Sequence, residues 1–161
     1  MTTTATTRWG DAKEILGAAG VTEDPAYVRD FPGPEERAIL AVPQLIQAAW
    51  KANDADFFAD IFAENGSLLM GDEQLTSREE IRAYMAKGFS GPYRGAYVKG
   101  YPVALRMLHP DAAMVVTGGG IILAGESGIA PDRHIRATWI IVRREGERPQ
   151  LLSHQSSPVT G

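Results

Sequence analysis

Ala112-Ala113-Met114-Val115-Val116-Thr117-Gly118-Gly119-Gly120-Ile121-Ile122-Leu123-Ala124 and, after a loop, Arg136-Ala137-Thr138-Trp139-Ile140-Ile141-Val142-Arg143-Arg144 decide the fold. From residue 92 onward the apolar period is two, which argues for strands. Three or four are expected, at about 95–108, 112–124, 133–144 and 149–157. His109-Pro110-Asp111, the loop 125–132 and Glu145-Gly146-Glu147 turn the chain between them. Sequential strands joined by short turns imply an antiparallel meander. The triple glycine predicts a bulge or a sharp bend in the second of these strands. Thr138–Val142 is apolar on both faces. One face must cover helices or line a cavity, and the other is expected to meet a second copy of the chain.

Working back toward the N-terminus, the period lengthens to 3.6. Ser77-Arg78-Glu79-Glu80 has capping-box spacing and opens a helix running to about Gly88, with Ile81, Tyr84 and Met85 facing inward. Residues 55–63 read as a short helix capped by Asp54, with Phe58, Ile61 and Phe62 on its inner face. Ser67–Met70 reads as a short strand. Pro34 to Ala52 forms the first strong helix, its proline at a position where the missing N–H costs nothing. Ile39, Val42, Pro43, Ile46, Ala49 and Trp50 recur at helical steps on one stripe, and Pro43 predicts a kink near Ile39. The fold class is therefore α+β, three helices packed on a strongly bent, mainly antiparallel sheet.

Residues 1–33 stand apart as an N-terminal extension, and 34–161 form the main domain. Met1–Thr7 reads as a flexible leader lacking the apolar core of a signal peptide. Asp11–Ala19 predicts a short helix ended by Gly20. Trp9, Ile15, Leu16, Val21, Tyr27 and Phe31 give the extension enough apolar surface to dock on the body. A lid over a pocket is the alternative to plain packing.

A chain of 161 residues with 44% apolar and 22% charged residues suits one globular domain. It has no cysteine, which removes disulfides, thiol nucleophiles and cysteine-ligated metals, and fits a cytoplasmic protein. No apolar run approaches the ~20 residues of a membrane span. The formal charge of -4 divides into -7 over residues 1–91 and +3 over 92–161, the basic excess being spread out. No nucleic-acid partner is expected.

Specific stretches add a resemblance. Ala48–Asp56 with Phe58…Phe62-Ala63-Glu64-Asn65-Gly66, then Ser77-Arg78-Glu79-Glu80-Ile81, resemble the first two helices and the third-helix start of a known superfamily. It has the cone-shaped, cystatin-like fold of nuclear transport factor 2 and the SnoaL-type polyketide cyclases. Arg136–Arg144 and Leu151-Leu152-Ser153-His154-Gln155-Ser156-Ser157 are similar to the last two strands of its SgcJ/EcaC branch, which includes accessory proteins of enediyne antibiotic biosynthesis. The likeness spans about residues 35–158. Pro149 departs from the branch, replacing a tryptophan and suggesting an edge strand. Ser156 and Ser157 replace an asparagine–threonine pair.

In that fold, ligands sit in the mouth of the cone. The resemblance implies a pocket lined by Trp50, Phe58, Phe62, Tyr84, Met85, Tyr101, Arg136, Trp139, Ser153 and Gln155. The aromatic residues among these are core residues first. Branch alignment turns Ser153 and Gln155 inward with Leu151, and His154 outward, unless a bulge inverts the order. Asp132, His134 and Arg136 form the best local cluster of acid, base and anion-holding group. His134 and Asp132 are thus the candidate catalytic pair.

Enzymes of the family use an Asp or Glu base in an apolar pocket, and here no buried acid is evident; only Glu126 and Asp132 could reach the mouth. Three scattered histidines lack metal-ligand spacing, so no metal is expected, and no cofactor. The resemblance implies a dimeric pocket protein of secondary metabolism with a small hydrophobic polyketide-like ligand. It acts on that ligand as a cyclase, isomerase or hydratase, or it binds without converting it. A pure interaction module like nuclear transport factor 2 is a third reading.

Overall fold

A computed structural model describes residues 7–159; of the leader, residues 1–6 lie outside these. Four helices pack with one six-stranded sheet. The helices are α1 (Ala12–Gly17), α2 (Pro34–Ala52), α3 (Ala55–Asp60) and α4 (Arg78–Ser90). The strands are β1 (Phe62–Met70), β2 (Glu73–Leu75), β3 (Tyr97–His109), β4 (Ala112–Ile122), β5 (Ile135–Val142) and β6 (Gln150–Pro158). Their order across the sheet is β2-β1-β6-β5-β4-β3. The antiparallel meander covers β3 to β6, and β1 joins it in parallel beside β6. A short 3-10 turn, Pro131–Arg133, precedes β5.

Local chemistry sets the boundaries. The side chains of Asp11, Asp54 and Ser77 accept backbone N–H groups at the starts of α1, α3 and α4. At the end of α2, Asn53 adopts a left-handed φ of 50°. Its amide donates to Trp50 O and Ala96 O and accepts from Gly95 N, tying the helix end to the start of β3. Helix α2 continues through Pro43. Helix α3 is shorter than the 55–63 expected, because Phe62 already belongs to β1. There the Arg78 guanidinium donates twice to Phe62 O, at 2.9 and 2.7 Å, and fixes that strand start.

The short helix expected in the extension is α1, a fourth beside the three of the main domain, and the extension packs into the core: Trp9, Ile15, Leu16, Tyr27 and Val28 are buried with it. It covers a side of α2 that would otherwise meet water, which is why α2 is buried all round from Ala38 to Ile46. Pro149 marks no edge. It is buried just ahead of β6, which lies between β1 and β5.

The triple glycine makes no bulge. Gly118, Gly119 and Gly120 pair in unbroken register with Tyr101, Gly100 and Lys99, and the register shifts fall near Val103 and Leu108 instead. The glycines serve a close approach: Gly119 has φ 149°, and a Cβ there would collide with the Lys99 carbonyl oxygen. Strand β5 buries Trp139 and Ile141 on the inner face. Its outer face carries half-buried Ile140 and Val142 beside exposed Thr138.

Candidate functional site

Between α2, α3 and the inner face of the sheet lies a cavity of about 330 Å³. Its apolar wall starts from an aromatic cluster. Trp50 meets Phe58 and Tyr93 edge-on at ring-centroid distances of 6.1 and 5.2 Å, and Phe58 packs on Phe62 at 5.6 Å. Gly100 of β3 and Gly118, Gly119 and Gly120 of β4 border the cavity as well.

The polar groups are few, as in sites that orient an apolar ligand. Gln47, Thr117, His154 and Ser156 line the interior, with Tyr27 from the extension. Lys99, Asp132 and Arg133 also border the cavity, and Lys99 and Asp132 are exposed. Glu126 does not line it. Its carboxylate accepts from Leu123 N and pairs with Arg133, which holds it below the usual carboxylate range.

His154 is the central polar group. Its ring packs edge-on against Trp139 at 4.3 Å and 83°. The Trp139 indole N–H in turn donates to the Thr117 hydroxyl at 2.8 Å in a buried bond. Thr117 thus fixes Trp139, and Trp139 fixes the imidazole. Burial pushes the His154 pKa down to about 4, so the ring is neutral at pH 7, with one donor and one acceptor nitrogen. Nδ1 is shut off from solvent and has no hydrogen-bond partner among the described residues. An unpaired buried nitrogen costs about 1–3 kcal/mol, and its persistence asks for a reason.

Its direction follows from a bulge. Ile141 pairs with Leu151 and Ile140 with Ser153, so Leu152 is an extra residue in β6. The alternation restarts one residue later, turning His154 and Ser156 inward and Ser153 and Gln155 outward. The inward placement expected for Ser153 and Gln155 is therefore corrected; Gln155 donates to Ser67 Oγ at 3.2 Å and neither residue lines the cavity.

Of the other expected lining residues, Trp50, Phe58, Phe62 and Trp139 do border the cavity. Tyr84 and Met85 do not. Met85 is sealed in the core, and half-buried Tyr84 stands behind Gly71 and Tyr93. Tyr101 and Arg136 lie on the outer face, where both side chains cross the space above Gly118, their common partner in register. His134 is exposed, and its carbonyl accepts from Val159 N. The cluster of Asp132, His134 and Arg136 is therefore dispersed, because the turn before β5 leaves only Asp132 at the cavity.

No protein-family model matches the chain, and no curated protein matches it in sequence. Solved structures share its architecture. A domain of unknown function with a cystatin-like fold from Nostoc punctiforme superposes with a TM-score of 0.72 at 20% identity, over 78% of each chain. A protein from Novosphingobium aromaticivorans provisionally named scytalone dehydratase gives 0.64 at 16%, over 78% of this chain and 85% of that one. A nuclear transport factor 2-like protein with a cystatin-like fold from the same organism gives 0.62 at 14%, over 74% and 79%. The chain has the cystatin-like, nuclear transport factor 2-like fold.

Proposed function

We propose that this chain binds a small hydrophobic, polyketide-like molecule in the cavity and moves a proton on it without a cofactor, as a cyclase or isomerase does. The observation that carries this reading is the neutral imidazole of His154 in the wall of a cavity lined mainly by apolar side chains. His154 takes the proton from a carbon next to a carbonyl, and the imidazolium returns it at a second carbon, shifting the double bond. Asp132, exposed at the cavity's edge, is the carboxylate placed to exchange that proton with solvent. The similarity of the last two strands to enediyne accessory proteins supports a polyketide-derived ligand.

A second reading has its own observation. The burial that keeps His154 neutral also makes it a weak base, and no carboxylate lies deep in the cavity. Such a site suits holding a reactive intermediate as well as converting it.

2-Tetralone in deuterated buffer separates the two readings. Proton transfer predicts exchange at the position next to the carbonyl about 100-fold above the buffer rate, the low end for a general base. His154→Leu should abolish it and His134→Ala leave it unchanged. Saturable binding without exchange leaves the holding reading.

The half-buried Met114, Val116 and Ile140 on the outer face support pairing of two copies through the sheet. Sedimentation at micromolar concentration should then show twice the 17.4 kDa chain mass, and a monomer would oppose it.

A further inference from the structure

The extension lies outside the stretch that resembles the superfamily, yet it sends one residue into the cavity wall. Tyr27 sits in the turn that follows Asp24 and is 6% exposed. The turn is pinned to α2 at two places. Arg37 pairs with Glu23, and Gln44 Oε1 accepts from Asp24 N at 2.8 Å. Asp24 also accepts from Ala26 N through its side chain and from Tyr27 N through its carbonyl, and Val28 is buried in the core. Tyr27 is therefore held in place from both sides.

Burial is the one influence on its phenol, holding the pKa far above the ordinary value, and no hydrogen bond contributes. Tyr27 lines the cavity, and no described residue accepts from its hydroxyl. A protonated hydroxyl in a cavity wall, with no acceptor among the described residues, can donate to an oxygen of a ligand. Ile46, Gln47 and Trp50 of α2 line the same cavity.

We propose that Tyr27 is a ligand-binding residue supplied by the extension, donating a hydrogen bond to an acceptor oxygen such as a carbonyl on the hydrophobic ligand. This rests on the cavity being the binding site. It makes the extension part of the site's specificity: ligands with an acceptor oxygen are preferred over hydrocarbons of equal size, because the alternative leaves a buried hydroxyl unpaired.

Two fluorescent probes of equal size test it on the full chain, 6-acetyl-2-naphthol and 6-isopropyl-2-naphthol, which differ in the acyl oxygen. Tyr27→Phe removes a hydroxyl with no partner among the described residues, so thermal unfolding should not move. The variant should bind the acetyl compound about tenfold more weakly than the native chain and bind the isopropyl compound within twofold. Equal affinities of both proteins for the acetyl compound would overturn the role of Tyr27 while leaving the cavity reading intact. Equal weakening of both probes would also overturn it, since the loss would not depend on the acyl oxygen. Failure of both probes to bind the native chain would remove the cavity reading and this inference with it.

Discussion

His154 and Gln155 are neighbours in sequence on opposite faces of one strand. Gln155 keeps its amide near water and shares Ser67 Oγ with Gln74. His154 lies against Trp139, with Nδ1 unpaired and its basicity suppressed by burial. The sheet's outer face can carry polar groups cheaply because solvent or a neighbour satisfies them. On the inner face each polar atom needs a partner, and among the described residues His154 Nδ1, like Arg133 Nε, is sealed without one.

Substitution at these two positions sharpens the contrast. The larger effect belongs to His154 and depends on pH. An unfolded chain binds a proton on this residue near pH 6.5, whereas the folded chain refuses it until about 4. Between those values the unfolded state holds more protons, so stability falls as pH drops through the window. The loss amounts to on the order of 3 kcal/mol at its lower end. His154→Leu should remove this part of the acid sensitivity while matching or exceeding native stability at pH 7, as measured by urea unfolding. Gln155→Ala should cost about 1 kcal/mol or less and keep the native pH dependence. If the two variants behaved alike across pH 4–7, the distinction between the faces would be lost.

Much of the fold was legible because its signals are local. The caps at Asp54 and Ser77, the helical stripe from Ile39 to Trp50 and the period-two strands all depend on residues within one or two turns of each other. Trp50, Phe58, Phe62 and Trp139, four of the aromatic residues that line the cavity, were expected there from the resemblance, on inward positions that the local period marks. Less legible was whatever depended on pairing between distant segments. The Leu152 bulge is set by how β6 meets β5, and it alone exchanges His154 for Ser153 and Gln155 on the inner face. Tyr101 and Arg136 turn outward through their common register with Gly118, which their own alternation does not specify. Tyr27 reaches the cavity only because the extension docks along α2, with Glu23 and Asp24 fastening it to Arg37 and Gln44.

The same contrast assigns the triple glycine a role. As a sequence feature it suggested a bend. In the fold, Gly119 admits the Lys99 carbonyl at a place where any Cβ would collide with it.

The most direct test of the account is an NMR titration of the histidine side chains, with His154 identified by its loss in His154→Leu. Placement of His154 on the inner face predicts that its ring stays neutral through pH 6 and protonates only near pH 4. A midpoint close to 6.5, as for a solvated imidazole, would place His154 on the outer face and contradict the account.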